Sequence, residues 1–296
     1  MKISVLTIFP EMFEDFLQEP VIKRAVDRGI AEIGIADIKK YAGGSFRHID
    51  DDTYGGGAGM VMRAKPILDA LKDVCGSKFL ISGPQDAAEP AETGTGENGR
   101  PEDQKTDRDR RTPEKSRLCI CAMTPSGIPY TQKMARELAE KDHLVLICGH
   151  YEGIDERVMR HVDRQISIGD YVLTGGELPA KVVMDSVIRL LGGVLREEST
   201  EVESFEDGLL EYPQYTKPLE VDGQRVPDAL LTGDHEKIRT WRLAQSLLRT
   251  LRVRPDLLEK RGTSSEERKL LEGQNLTEEE RIKLKKLPDR TELSKK

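Results

Sequence analysis

Apolar and polar positions along the chain follow two alternating rhythms. Compact apolar runs at 2–8, 32–38, 118–123 and 144–148 are separated by stretches of helical period at 21–28, 67–74 and 131–141, with 78–82 a further strand candidate. Strands that alternate with helices predict a mainly parallel sheet with helices on its faces. The run 144–148 is apolar throughout, as a strand covered on both sides requires, and it stops at Gly149. Ligands of open α/β sheets sit beyond the carboxyl ends of strands, so Tyr151, Glu152 and Asp155 are suited to line a site. The apolar piece 168–173 repeats the device and ends at Gly175 and Gly176, where backbone can approach a ligand. A helix is predicted to open at Pro179, with Val183, Val187, Leu190 and Leu191 on one face and Lys181, Asp185 and Arg189 on another. Arg189 can then project into a cleft, or pair with Asp185 on the surface.

Beyond Leu195 the pattern changes. Residues 1–195 form one domain, 196–205 a polar linker, and 206–275 a smaller helical domain in which helical period returns at His235. The end of the chain from about Gly262 carries charged helical stretches that read as frayed or loosely docked, its last part, 276–296, as a charged tail. Residues 85–117 are rich in charge, Gly, Pro and Thr, almost without large apolar side chains, and read as a disordered insertion.

Composition refines this picture at three points. The 296 residues suffice for two modest domains without staples. The apolar share is only 37% because polarity is concentrated in the two segments just named. A net charge of −7 argues against a wholly basic nucleic-acid binder, yet Lys237, Arg239, Arg242, Arg249, Arg252 and Arg254 lie together around Trp241 with no acidic residue among them. Such a helix face either neutralises phosphates or is simply solvated. Cys75, Cys119, Cys121 and Cys148 form no C-x-x-C pair and read as buried thiols of a reducing cytoplasm. The N-terminus, interrupted by Pro10, reads as a first strand and not as a signal peptide or membrane span.

The loop YGGGAGM at 54–60, preceded by Asp50, Asp51 and Asp52, is neither G-x-G-x-x-G nor Walker A. Its carboxylates would repel phosphate. They suit a cation or the donors of a nucleobase, and a plain glycine-rich turn is the other reading.

Taken together, TIFPEMF, DD-x-x-YGGGAGM, YEGIDERV, SIGDYVLTGGELP and SF-x-x-GLLEYPQYTKP resemble the bacterial tRNA (guanine-N1)-methyltransferase family. The resemblance spans nearly the whole chain except 85–117 and the last few dozen residues. It implies a SPOUT-type α/β fold: a parallel-sheet domain threaded into a trefoil knot, then a small helical domain. It also implies a cytoplasmic homodimer with sites shared between chains, tRNA as partner and no membrane. The activity implied is methyl transfer from S-adenosylmethionine to N1 of the guanosine just 3′ of the anticodon, position 37.

By resemblance the cofactor pocket is lined by Met123, Thr124, Pro125 and Gly127; by Gly149, Tyr151 and Glu152; and by Ile168, Gly169, Asp170, Tyr171, Val172, Leu173, Gly175, Gly176 and Pro179. Glu152 is assigned the methionine end or a divalent cation such as magnesium, with a structural salt bridge as its competing role; whether a metal assists is left open. Asp51, Ser204, Lys237, Arg239, Arg242 and Arg249 are assigned to tRNA.

The family's general base is an aspartate before Ser-Phe. Here that position is Glu203, one methylene longer, with Glu201 as nearest rival. Arg189 matches the arginine that holds the guanosine or stabilises charge on O6. N1 of guanine carries a proton at neutral pH, so a positioned base is required. The exchange of aspartate for glutamate raises an alternative, a tRNA-binding protein with weak or lost turnover. Alternating strands and glycines alone would also suit a nucleotide-binding oxidoreductase. Deleting 85–117 is expected to leave activity largely intact; loss of cofactor binding would show instead that the insertion shapes the pocket.

Overall fold

The computed structural model describes residues 1–43, 48–57, 59–76, 117–195, 203–205 and 207–293, which leaves the strand candidate at 78–82, Glu201 and almost all of 85–117 outside the described residues. The chain divides into two compact units, 1–195 and 196–296.

In the first unit the strands are β1 (Lys2–Thr7), β2 (Glu32–Asp37), β3 (Asp50–Asp52), β4 (Met60–Met62), β5 (Leu118–Pro129), β6 (His143–Cys148) and β7 (Arg164–Ser167). Among the described residues, one sheet has the order β2-β1-β6-β5-β7, and every neighbouring pair is parallel. The helices are α1 (Glu14–Leu17), α2 (Pro20–Asp27), α3 (Ala64–Cys75), α4 (Gln132–Ala139), α5 (Glu156–Met159) and α6 (Glu177–Ile188). The pleat sends alternate side chains into two apolar layers. Cys119, Cys121, Leu144 and Leu146 pack with Val183 and Val187 of α6, while Leu118, Ile120, Val145 and Ile147 pack with Ile67 and Leu71 of α3. Central strands buried on both faces therefore read as unbroken apolar runs. All four cysteines are buried free thiols, and burial pushes Cys75 up to about 11.

One expectation for this unit is corrected, and one strand was not anticipated. The strand near 168–173 lies earlier, at β7. It is an edge strand whose Arg164 pairs with Glu137 at 2.8 Å, so its polar start hides it from a search for apolar runs. Residues 168–173 form a loop instead. The three aspartates 50–52, against their propensity, make β3. They pair antiparallel with β4, whose Met62 is bonded in turn to Gly153 and Asp155, so tertiary context overrides local preference.

The second unit holds a small hairpin, β8 (Glu220–Val221) and β9 (Gln224–Arg225), turned by Asp222-Gly223 with positive φ at both residues. Its helices are α7 (His235–Val253), α8 (Pro255–Arg261), α9 (Ser265–Glu272), α10 (Glu278–Lys286) and α11 (Arg290–Leu293). Their core gathers Leu209, Leu247, Leu251, Leu258, Leu271, Leu276, Leu284 and Leu287. The charged tail expected from 276 is thus corrected: leucines at wide spacing bury inward, and capping boxes at Ser264/Glu267 and Thr277/Glu280 start α9 and α10. The end of the expected linker also belongs here, since Ser204 and Phe205 bond to Glu211 and Leu209. No helix among the described residues is long and apolar enough to cross a membrane.

One close approach fixes the sheet's far edge. β5 bulges between Met123 and Ile128, both of which pair with Ile166. There Gly127 crosses β7 so closely that a Cβ would stand 2.5 Å from backbone atoms of Gln165 and Ile166. Gly127→Ala is expected to lower unfolding stability by about 1–3 kcal/mol or more in urea titrations, because the obstructing atoms are backbone and cannot swing away.

Candidate functional site

The site begins in the register of the sheet. Met123 on β5 lies beside Cys148 on β6 and Ile166 on β7, so three parallel strands end level and their loops converge. Between these loops is a cavity of about 230 Å³. Met123, Thr124 and Pro125 line it from the first loop; Gly149, Tyr151 and Glu152 from the second; and Ile168, Gly169, Tyr171, Val172, Leu173, Gly175, Gly176 and Pro179 from the third.

Three residues expected here lie elsewhere. Asp155 caps the start of α5, where its Oδ1 accepts from Arg157 N at 2.9 Å. Gly127 is spent on the crossing over β7, where its missing side chain is filled by backbone. Asp170 is exposed, because the Tyr171 N–H bonds to Gly169 O and turns the residue between them outward.

The third loop is seated by Gly176. A Cβ there would lie 2.6 Å from Cys148 Cα, and its N–H donates to Gly149 O at 2.9 Å. This close seat places the next residue, Glu177, in the interior at 1% exposure. A buried carboxylate needs partners, and it has two. Thr7 Oγ1 donates to Oε1 at 2.6 Å, and His150 Nε2 lies 2.6 Å from Oε2. Thr7 Oγ1 also accepts from Phe9 N, and the His150 ring stands edge-on to Phe9 at 5.0 Å. The first position of α6 is favourable for a negative charge as well.

Thr7 and Glu177 are the members that sequence reasoning missed, and His150, inside the stretch 149–152 expected to line the pocket, takes a partner it did not foresee. Glu177 lies inside the glycine-proline motif already singled out, but a glutamate opening a helix ordinarily faces water. Only the pairing of β1 with β6, which brings Thr7 to Cys148's end of the sheet, reveals the burial.

Tyr151 adopts a left-handed conformation, φ 58°, at the tip of the second loop. A non-glycine residue held there marks a segment fixed by its surroundings. Glu152 N donates to Met60 O at 3.0 Å, and its side chain fills the space over Gly59, so the glycine-rich hairpin packs against this loop. Glu152 has no ion-pair partner among the described residues, so the salt-bridge role assigned as its alternative is not the one observed. Nor do three or more His, Cys, Asp or Glu side chains gather among the described residues as metal ligands. The divalent cation left open above thus has no support in this arrangement. Asp51 sits on β3 with Arg63 at 3.8 Å.

The remaining expected residues are not at this cavity. Arg189 caps the C-terminus of α6 and is half-buried; ten residues of helix, about 15 Å, separate it from Pro179. Glu203 lines a cavity of about 540 Å³ within the second unit, together with His235, Arg239 and Arg242. Ser204 Oγ accepts from Glu211 N at 3.0 Å.

The basic helix is partly neutralised. Lys237 pairs with Asp234 and Arg239 with Glu236, carboxylates just before the stretch that looked purely basic, and Arg252 pairs with Glu280 of α10. Arg242 stacks over the Tyr212 ring at 4.9 Å, and Arg249 donates to Glu211 O at 2.8 Å.

A family model described as tRNA (Guanine-1)-methyltransferase TrmD matches residues 1–90 and 103–260. The chain belongs to this family. Its relatives include the tRNA (guanine-N(1)-)-methyltransferase of Moorella thermoacetica, 47% identical over 283 residues, covering 95% of this chain and 99% of that protein. Those of Syntrophomonas wolfei and Staphylococcus carnosus are 45% and 42% identical, each over 92% of this chain and over 96% and 97% of their own length. The parallel α/β sheet of this TrmD-family chain is accordingly of the SPOUT class.

Glu177→Ala is expected to cost about 1–3 kcal/mol in urea titrations, because the Thr7 hydroxyl and His150 ring lose their buried partner. Glu177→Gln, which keeps a carbonyl oxygen for Thr7, should cost less; unchanged stability of the alanine variant would rule out this network as a support of the site.

Proposed function

We propose that this TrmD-family chain transfers a methyl group from S-adenosylmethionine to N1 of the guanosine at tRNA position 37. The observation that carries the cofactor reading is the charge of the cavity. Among the described residues no lysine or arginine lines it, and Glu152 is the acidic one. A dinucleotide with its phosphates would meet no cation there, which disfavours the oxidoreductase alternative. S-adenosylmethionine has no phosphate, and its cationic sulfonium and ammonium suit a carboxylate wall. Bound there, it supplies a methyl carbon activated by the sulfonium.

The chain's own residues have distinct tasks in this reading. Backbone groups of the loops after β6 and β7 bind the adenine edge, and Glu152 binds the methionine end. Glu203 takes the proton from N1, a contribution of roughly 10²- to 10⁴-fold for a positioned base. Arg189 stabilises the charge that develops on O6, a task suited to a fixed guanidinium. In one chain Arg189 is about 15 Å along α6 from Pro179, which supports a homodimer whose sites draw on both chains. In the helical unit, Arg242 and Arg249 pair with no carboxylate among the described residues and carry the phosphate-contact reading best. Trefoil threading belongs to the same reading, supported by the backbone crossings at Gly127 and Gly176. Four buried thiols fit a reducing cytoplasm.

The deciding experiment is single-turnover transfer of labelled methyl to tRNA transcripts carrying guanosine or adenosine at position 37. Transfer to guanosine alone is expected. Glu203→Gln and Arg189→Ala are each expected to keep cofactor and tRNA binding while losing most turnover. Near-normal turnover of Glu203→Gln would remove that residue from the mechanism, and binding without transfer in the unaltered protein would favour the inactive tRNA-binding alternative.

A further inference from the structure

The segment that carries Glu203 is held by an ion network that no step above uses. Residues 203–205 and 207–211 outline a short arch on the helical unit. Phe205 N donates to Leu209 O at 2.8 Å, and Glu211 N donates to Ser204 Oγ at 3.0 Å. Leu209 is buried among the leucines of the helices, and Leu210 N donates to Thr250 Oγ1 at 2.9 Å. The arch is strained, since Phe205 has φ 77°, a left-handed value that a phenylalanine adopts only when its surroundings impose it.

Arg261 ties the arch to the helices. Its Nε donates to Asp207 O at 2.6 Å and its Nη2 to Asp207 Oδ2 at 2.7 Å, so one guanidinium grips both backbone and side chain of the arch. The same guanidinium forks onto Glu267, at 3.0 and 2.7 Å, and only 7% of the Arg261 side chain is exposed. Arg290 closes the network on Asp207 Oδ1 at 2.7 Å. Gly208 lies against the stem of Arg261, where a Cβ would meet Cδ at 3.2 Å, and its φ of 68° suits glycine. Burial alone would raise the carboxyls of Asp207 and Glu267, but the hydrogen bonds and charge of Arg261, with Arg290, hold both below their usual range.

For stability alone this is a wasteful arrangement, since buried ion pairs are often no better than apolar packing. What a fork supplies is direction. Resting on the reading of Glu203 as base, we infer that Arg261 is a positioning residue for methyl transfer: through Asp207 it fixes the arch, and so the point from which Glu203 reaches N1. Arg261 touches neither cofactor nor guanosine in this scheme. Its effect is confined to the step that needs the carboxylate aligned.

The test uses the full-length protein with Arg261→Lys, which keeps charge and stem but loses the fork, and with Asp207→Asn on the exposed side of the arch. Single-turnover rate, KM for S-adenosylmethionine and Kd for tRNA are measured for each, alone and combined with Glu203→Gln. The rate is expected to fall between about ten- and a hundredfold, as misplacement of a reacting group does. KM and Kd should stay within about twofold, and adding either change to Glu203→Gln should cost nothing further. Three outcomes overturn the inference: an unchanged rate, a loss that tracks tRNA affinity, or an equal loss on top of Glu203→Gln. Should Arg261→Lys fail to fold, Asp207→Asn decides alone. An inactive Glu203→Gln beside fully active Arg261 and Asp207 variants would sink this inference and leave Glu203 as base standing; an active Glu203→Gln would end both.

Discussion

Two positions without side chains, Gly127 and Gly176, hold the first unit's working end together. At each, the space a Cβ would need is filled by another stretch of backbone. The consequences run in sequence. Gly176 on Cys148 seats the start of α6; that seat buries Glu177; the buried carboxylate captures Thr7 and His150; and the loop beginning at His150 holds the β3–β4 hairpin through Met60 and Met62. A contact of a few atoms thus reaches from the middle of the sheet to a glycine-rich loop. Interiors packed at crystal density transmit such constraints because they cannot absorb them.

The two units handle buried charge differently, and the difference tracks what each has to hold. Beside the cavity, one carboxylate is satisfied by a hydroxyl and an imidazole, and among the described residues no guanidinium or ammonium lines the cavity. In the helical unit, two arginines and two acids alternate around Asp207, and direction matters there more than ligand charge. The long basic helix follows the same economy. Its cations looked unopposed only because their partners, Asp234, Glu236 and Glu280, lie outside the stretch itself.

How much of this was legible depended on whether neighbours in space were neighbours in sequence. The runs 2–8, 118–123 and 144–148 are central strands buried on both faces, and hydropathy alone finds such strands. The loops after them could be named as site-forming because parallel strands end together. β7 was misplaced because an edge strand starting Arg-Gln carries no apolar run. Gly127 was assigned to the pocket because a glycine that admits a ligand and a glycine that admits another strand look alike in sequence. Asp170 was assigned there because one hydrogen bond, Tyr171 N–H to Gly169 O, decides which way it faces. Leu276, Leu284 and Leu287 were given to a tail because, at wide spacing among charges, their shared core is invisible before the helices are folded.

Glutamate at position 203 is the departure that bears most on activity, and magnitudes decide how heavily to weigh it. One added methylene is one more rotor to fix, about 0.5 kcal/mol of side-chain entropy, or roughly a twofold loss in rate. A positioned base contributes on the order of 10²- to 10⁴-fold. The longer side chain is therefore a small penalty provided that its anchor does not wander, and the anchor here is an arch fixed by a strained Phe205, a buried Leu209 and the fork of Arg261. A floating linker would make the same substitution far more damaging, because every rotamer of the glutamate would be multiplied by every conformation of the segment beneath it. On the proposed reading, the contacts that tie Phe205 and Asp207 to the helical unit therefore support an active enzyme over a protein that only binds tRNA.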